Sequence, residues 1–166
     1  MAFFTNIIDF LWNNFFGKIV MTVLISMVPV IELRGAIPIA VANGLNYWVA
    51  IAAAFVGNML PVPFIILFIK RIFAWMRRKS QRLNGVVNRL EKRAEGKSEV
   101  VQRNAFWGLV ILVAIPLPGT GAWTGALVAA LLEMRLKRAV PAIAFGVLGA
   151  ALIVTVATYF TKSVFF

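Results

Sequence analysis

Cysteine and histidine are both missing from this chain of 166 residues, and acids are few, 6 Asp and Glu against 17 Lys and Arg. Without cysteine there are no disulfides, thiolate nucleophiles or thiolate metal sites. Without histidine there are no imidazole ligands, no Ser-His-Asp triad and no histidine proton relay. No nucleophile or metal cluster is evident elsewhere, so neither an enzyme nor a cofactor is expected. No cationic stretch precedes the first apolar run either, since Asp9 comes before the first cation, Lys18, and a cleaved signal peptide is not expected.

What the chain has in abundance is apolar surface. Hydrophobic residues make up 61% of it and charged residues 14%, against roughly 45 to 50% apolar in a soluble domain, which marks an integral membrane protein. The net charge of +11 is concentrated, because residues 70–103 hold eleven of the seventeen cations against Glu91, Glu95 and Glu99, a local balance of +8. A membrane-flanking cluster of this kind follows the positive-inside rule and places the segment in the cytoplasm. With no stacking aromatics or recognition motif among the cations, nucleic acid is not an expected partner. Leu83, Val86, Val87 and Leu90 recur at helical spacing within the segment. It is therefore either a basic amphipathic helix resting on anionic lipid or a solvated connector weakened by Gly85 and Gly96.

Two apolar stretches break in similar words, VPVIELRGA at 28–36 and IPLPGTGA at 115–122. Proline withdraws a backbone donor and glycine permits strained dihedrals, and unwound backbone at bilayer depth survives only inside protein or beside water. The limb before the first break, 19–31, is too short to span, since ~13 residues at ~1.5 Å each cover ~20 Å of a ~30 Å hydrocarbon core. Each break reads as the tip of a re-entrant hairpin, with full spanning by these segments as the alternative. Residues 2–16 read as an interfacial amphipathic helix, 19–69 as a hairpin followed by a span from Leu45 to Ile69, and 105–160 as a second hairpin followed by a span from Ala139 to Phe160. The first hairpin enters from outside and the second from inside, which also keeps Arg135, Lys137 and Arg138 in the cytoplasm. The expected fold is a single all-α integral membrane domain over 1–166. It has two inverted-topology repeats, each a re-entrant helical hairpin followed by a transmembrane helix, plus amphipathic interfacial helices.

Broken helices in repeated halves are the sequence pointer to a transporter's binding site. Glu32 and Arg34 are ionisable at membrane depth, where function is the default reading; an ion pair that only fastens the tips is the alternative. A proton traded by Glu32 would couple transport to protons. Gly35 and Gly121 read as opening the outward limbs, whose first N–H groups then suit an anion. Gly119, Thr120, Trp123, Thr124 and the Arg34 guanidinium complete a phosphate- or carboxylate-sized cradle, self-capping and packing being the alternative for Thr120 and Trp123. Asn58 is expected to satisfy carbonyls released by Pro61 and Pro63, with substrate contact as a second reading. Pro29, Pro38, Pro61, Pro63, Pro116 and Pro118 are the expected tip and hinge residues. Ala53 and Gly57, like Ala142, Gly146 and Ala150, are spaced four apart and suit close helix packing.

The strings ELRGAIP at 32–38, GNMLPVP at 57–63 and PLPGTGAWTG at 116–125 resemble the small multidrug export protein family, in the same order along the chain. That family is similar, more distantly, to the DedA, or SNARE-associated, superfamily. Members of the superfamily are implied to have paired re-entrant hairpins and to translocate polyprenyl-phosphate or other lipids, often with proton coupling. The resemblance implies a prokaryotic inner-membrane, multi-pass transporter and marks Glu32, Arg34, Gly35, Pro38, Asn58, Pro116, Pro118, Gly119, Gly121, Trp123 and Gly125 as motif positions. The expected function is proton-coupled, alternating-access translocation of a lipid phosphate or other amphipathic anion. An exporter of amphipathic drugs, or a non-transport membrane assembly or lipid-organising protein, is the alternative. Expected partners are the lipid bilayer, anionic lipid at the cytoplasmic face, a lipid or small amphipathic substrate, and protons. A second copy of the chain is also expected, because two spans and two hairpins barely surround a path.

Overall fold

The computed structural model describes residues 11–102, 104–117 and 119–165, with side-chain surroundings for 11–92, 104–117 and 119–160. Eight helices are bounded within them: α1 Phe15–Met27, α2 Glu32–Ala42, α3 Tyr47–Met59, α4 Pro61–Lys79, α5 Gln81–Gln102, α6 Ala105–Ala114, α7 Ala122–Leu131 and α8 Leu136–Phe165. Most of the expected interfacial helix lies outside the described residues; of it, 11–13 are helical and a bend at Asn14 separates them from α1.

By contacts the chain divides into two compact units, Met1–Leu60 with Leu148–Phe166, and Pro61–Val147. In the first, α1 and α2 form an antiparallel pair and both pack on α3. Close approach is possible because Gly57 presents no side chain: a Cβ there would run into the Val23 carbonyl and the Ser26 hydroxyl. In the second, α6 and α7 pair, α5 packs on α4, α6 and α7, and α4 also packs on α7. Here Gly146 is the bare position, where a Cβ would lie 2.6 Å from Val113 Cβ and 2.8 Å from the Val110 carbonyl. The small-residue spacing expected to favour close packing is thus used at both glycines.

Two stretches are long and apolar enough to cross a membrane, Tyr47–Lys79 and Leu136–Phe160. Their large apolar side chains are turned outward, among them Trp48, Phe64 and Leu67 on the first and Phe145, Leu152 and Phe160 on the second. Contiguous exposure of this kind is stable in lipid and not in water. The helices α1, α6 and α7 are apolar but short. At ~1.5 Å per residue each reaches ~15 to 20 Å, against ~30 Å of hydrocarbon.

The described part of the basic segment over 70–103 is helical, as one of its two sequence readings has it. Helix α4 runs through it to Lys79, and α5 occupies nearly all the rest. Lys and Arg are good helix formers, Arg77 is salt-bridged to Glu91 across the α4–α5 turn, and Lys79 sits 4.8 Å above the Trp75 ring. Val87 is buried while Val86 and Leu90 stay exposed, so the apolar edge of α5 is used partly for packing on protein.

Several backbone features recur along the chain at a nearly constant spacing. Helices α2 and α7 end in the same reverse-turn hydrogen bonds, Leu45 N–H to the Ala40 carbonyl at 3.0 Å and Met134 N–H to the Ala129 carbonyl at 2.9 Å, eighty-nine positions apart. The left-handed residue of each turn is Gly44 (φ 80°) and Glu133 (φ 54°), the geometry of a Schellman cap. The following helices start at Tyr47 and Leu136, again eighty-nine apart, and bury the same face: Ala50, Ala53, Ala54, Gly57 and Asn58 against Ala139, Ala142, Ile143, Gly146 and Val147. Upstream, α1 and α6 exit at Val28 (φ −72°, ψ 126°) and Ile115 (φ −71°, ψ 120°), eighty-seven apart, each followed by proline. The second tip is therefore two residues longer than the first.

Candidate functional site

At the first tip Pro29, Val30 and Ile31 form the turn and the helix resumes at Glu32, whose N–H donates to the Val28 carbonyl at 2.9 Å. The outward limb thus opens at Glu32 and not at Gly35, which already donates to the Ile31 carbonyl at 3.0 Å within the helix. Two facts moved the start. Ile31 and Glu32 can close a tight turn without glycine because Glu32 itself takes a positive φ of 51°, and an acid suits the positive end of a helix. Pro38 lies inside α2 and is not a tip residue; its missing donor falls in the body of the helix.

Glu32 is only 5% exposed and yet occupies the left-handed region, which a residue with a Cβ enters at a cost of about 1 to 2 kcal/mol. Arg34, half-buried, lies close enough to interact with it electrostatically. The structure thus brings together the two residues expected to carry the site.

Asn58 is fully buried, and among the described residues neither its Oδ1 nor its Nδ2 has a hydrogen-bond partner. It does not take up the backbone groups released by Pro61 and Pro63, as the sequence suggested. Helix α3 stops at Met59, Leu60 forms a bend and Pro61 opens α4, so the break is absorbed by a new helix start where proline needs no donor. A buried amide without partners costs roughly 1 to 3 kcal/mol.

Two further polar groups were not expected. Thr22 and Ser26, four apart on α1, are fully buried, donating to the Lys18 carbonyl at 2.6 Å and the Val23 carbonyl at 2.9 Å. Each keeps lone pairs for an acceptor role. Their signal in the sequence is a polar residue once per turn in an otherwise apolar limb.

The second tip closes on itself. Thr120 Oγ1 sits 2.7 Å from the Ile115 carbonyl and 2.8 Å from the Leu117 carbonyl and accepts from the Leu117 N–H at 3.2 Å. Thr124 donates to the Gly119 carbonyl at 3.0 Å. Gly119 supplies a positive φ of 75°, Gly121 precedes α7 as its N-cap, and Trp123 is half-buried. The two hydroxyls therefore hold loop carbonyls, which is the self-capping alternative for Thr120. Pro116 is exposed in this loop, and Pro118 lies outside the described residues.

Matched by position, Thr22, Ser26, Glu32 and Asn58 of the first unit correspond to Leu109, Val113, Gly121 and Val147 of the second, all buried. Among the described residues, every buried polar or charged side chain belongs to the first unit.

No curated protein and no solved structure matches the chain. Residues 32–153 match the family described as "Putative small multi-drug export protein". That span begins at the strained Glu32, takes in the helix after each tip and ends in α8; this membrane protein belongs to the small multi-drug export protein family.

Proposed function

We propose that the protein is a transporter that moves an amphipathic anion, with a lipid phosphate as the preferred cargo, by alternating access between two re-entrant hairpins of inverted topology. Glu32 and Arg34 form the charged part of the site, and Glu32 exchanges a proton during the cycle. The observation that carries the reading is the polar interior of one repeat, with Thr22, Ser26, Glu32 and Asn58 where its twin is apolar. Desolvated polar groups in a membrane protein are costly, and function is the usual reason that they persist. The matched helix order and caps support the repeat, and the charge distribution supports its inversion.

The test is flux in reconstituted liposomes. Labelled polyprenyl phosphate crosses with the parent protein, while Glu32→Gln and Arg34→Gln, both still folded, abolish the flux; unchanged flux in both variants sinks the proposal. Because the chain has no cysteine, single Lys18→Cys and Arg135→Cys variants report topology directly. An impermeant maleimide reaches them from opposite faces if the repeats are inverted.

Export of amphipathic drugs is the second reading, favoured by the family's description and by a buried carboxylate, which suits a cation. In the same liposomes a cationic dye that competes with the lipid phosphate and depends on Glu32 but not Arg34 selects it. As a multi-pass protein with two spans, the chain acts as a homodimer or larger assembly.

A further inference from the structure

A half-open cavity of about 560 Å³ lies within the second unit, between the start of α6 (Asn104, Ala105, Phe106) and the turn into α8 (Glu133, Arg135, Arg138). It sits at the opposite end of the second hairpin from the Gly119–Gly121 tip, so it is no part of the site described above.

The charge in it is unbalanced. Glu133 is the one acid in its lining, and that carboxylate accepts from Lys70 at 2.7 Å. Arg135 and Arg138 have no carboxylate partner among the described residues. Helices α6 and α8 both begin here without an acid in their first turns, and Asn104 makes no side-chain cap bond. Three cations, Arg135, Lys137 and Arg138, crowd the start of α8, the helix end that repels positive charge. Natural sequences break this local preference where something compensates it. One wall is apolar, formed by Phe106, whose ring stacks edge-on with Trp107 and Phe145, and Trp107 is itself exposed, as an aromatic at a membrane boundary would be.

We propose that this cavity binds a phosphate group, held by the Arg135 and Arg138 guanidinia, and that an anionic lipid headgroup supplies it, with the acyl chains leaving past Phe106. Two guanidinia suit phosphate oxygens in geometry as well as charge, the volume is that of a headgroup-sized pocket, and basic pockets among membrane helices take anionic headgroups. The assignment rests on the second unit alone and stands whether or not the protein transports anything.

The experiment is thermal unfolding of the full chain in uncharged detergent with phosphatidylglycerol, phosphatidylcholine or inorganic phosphate added. Phosphatidylglycerol raises the midpoint saturably and phosphatidylcholine does not. Arg135→Gln with Arg138→Gln raises the half-saturating lipid concentration about twenty-five-fold, at about fivefold per cation, whereas Lys137→Gln, equal in charge but outside the lining, leaves it unchanged. Asn104→Asp keeps the residue's size, caps α6 and holds or raises the lipid-free midpoint. It also abolishes the response by placing a carboxylate in the cavity, so the test remains readable if the double variant unfolds. A full response to inorganic phosphate alone keeps the phosphate assignment and removes the lipid as its source. Equal responses to the two lipids, a Lys137→Gln loss as large as that of the arginine pair, or a parent-like Asn104→Asp overturns the proposal.

Discussion

Where the first unit buries Thr22, Ser26, Glu32 and Asn58, the second buries Leu109, Val113, Gly121 and Val147, eighty-seven or eighty-nine positions further on. The shared part is what backbone sterics demand: a proline after each inward limb, a left-handed residue ending each outward limb, and a bare glycine where the long helix meets the limb. The unshared part is chemistry. One unit resembles an ordinary packed core, and the other accepts a desolvated amide and a strained carboxylate. A common scaffold therefore separates what folding requires from what was added to it.

The shared scaffold is tested most severely at its glycines. Gly57→Ala and Gly146→Ala each force a methyl onto the carbonyl of the facing limb and cost about 1 to 3 kcal/mol, by nearly equal amounts if the plan is common. Thermal midpoints in detergent compare them, and a large cost at only one site breaks the equivalence.

The contrast in filling is sharpened by giving the first unit the second unit's residue. Asn58→Val removes an amide that has no partner and raises stability by roughly 1 to 2 kcal/mol, the reverse of the usual effect of a core substitution. If the proposed site is right, liposome flux falls in the same variant. Lost stability would mean that the amide has a partner in the working protein. Glu32→Gly relieves the left-handed strain, for a gain of about 1 kcal/mol. Glu32→Gln keeps the strain and shows no gain, so the pair separates backbone from charge.

The smallest effect belongs to the second unit's surface. The Lys70 hydrogen bond and charge hold the Glu133 carboxyl below the usual carboxylate range. A carboxyl so depressed stabilises the fold above its ordinary value, and the contribution disappears as pH falls through the lowered one. Parent protein loses slightly more stability on acidification than Lys70→Gln. Because the pair is exposed, the difference is small and fades with salt, and identical acid profiles would show that the contact contributes nothing.

The breaks themselves were legible, since Val28-Pro29 and Ile115-Pro116 each end a helix as their prolines require. So were the two long apolar helices and the packing glycines. The start of α2 was not, because pattern reasoning assigns positive φ to glycine and so chose Gly35, whereas Glu32 takes that geometry itself. Residues 70–102 left helix and solvated connector both open, because charge suits solvation as well as helix, Lys and Arg combining high helix propensity with long apolar stems; they are helical. The arginine cavity was hidden for a different reason: Asn104 and Arg138 are thirty-four positions apart in the sequence, and only the closing of α6 against α7 and the start of α8 brings them to one place.

The corner between α7 and α8 turns on Glu133, where its twin between α2 and α3 turns on Gly44. A glutamate bent this way is held by the backbone bonds of its reverse turn and carries a steric cost of about 1 to 2 kcal/mol that a glycine escapes. Glycine in place of Glu133 would remove that cost, whereas a side chain added at Gly44 would bring it to the other corner.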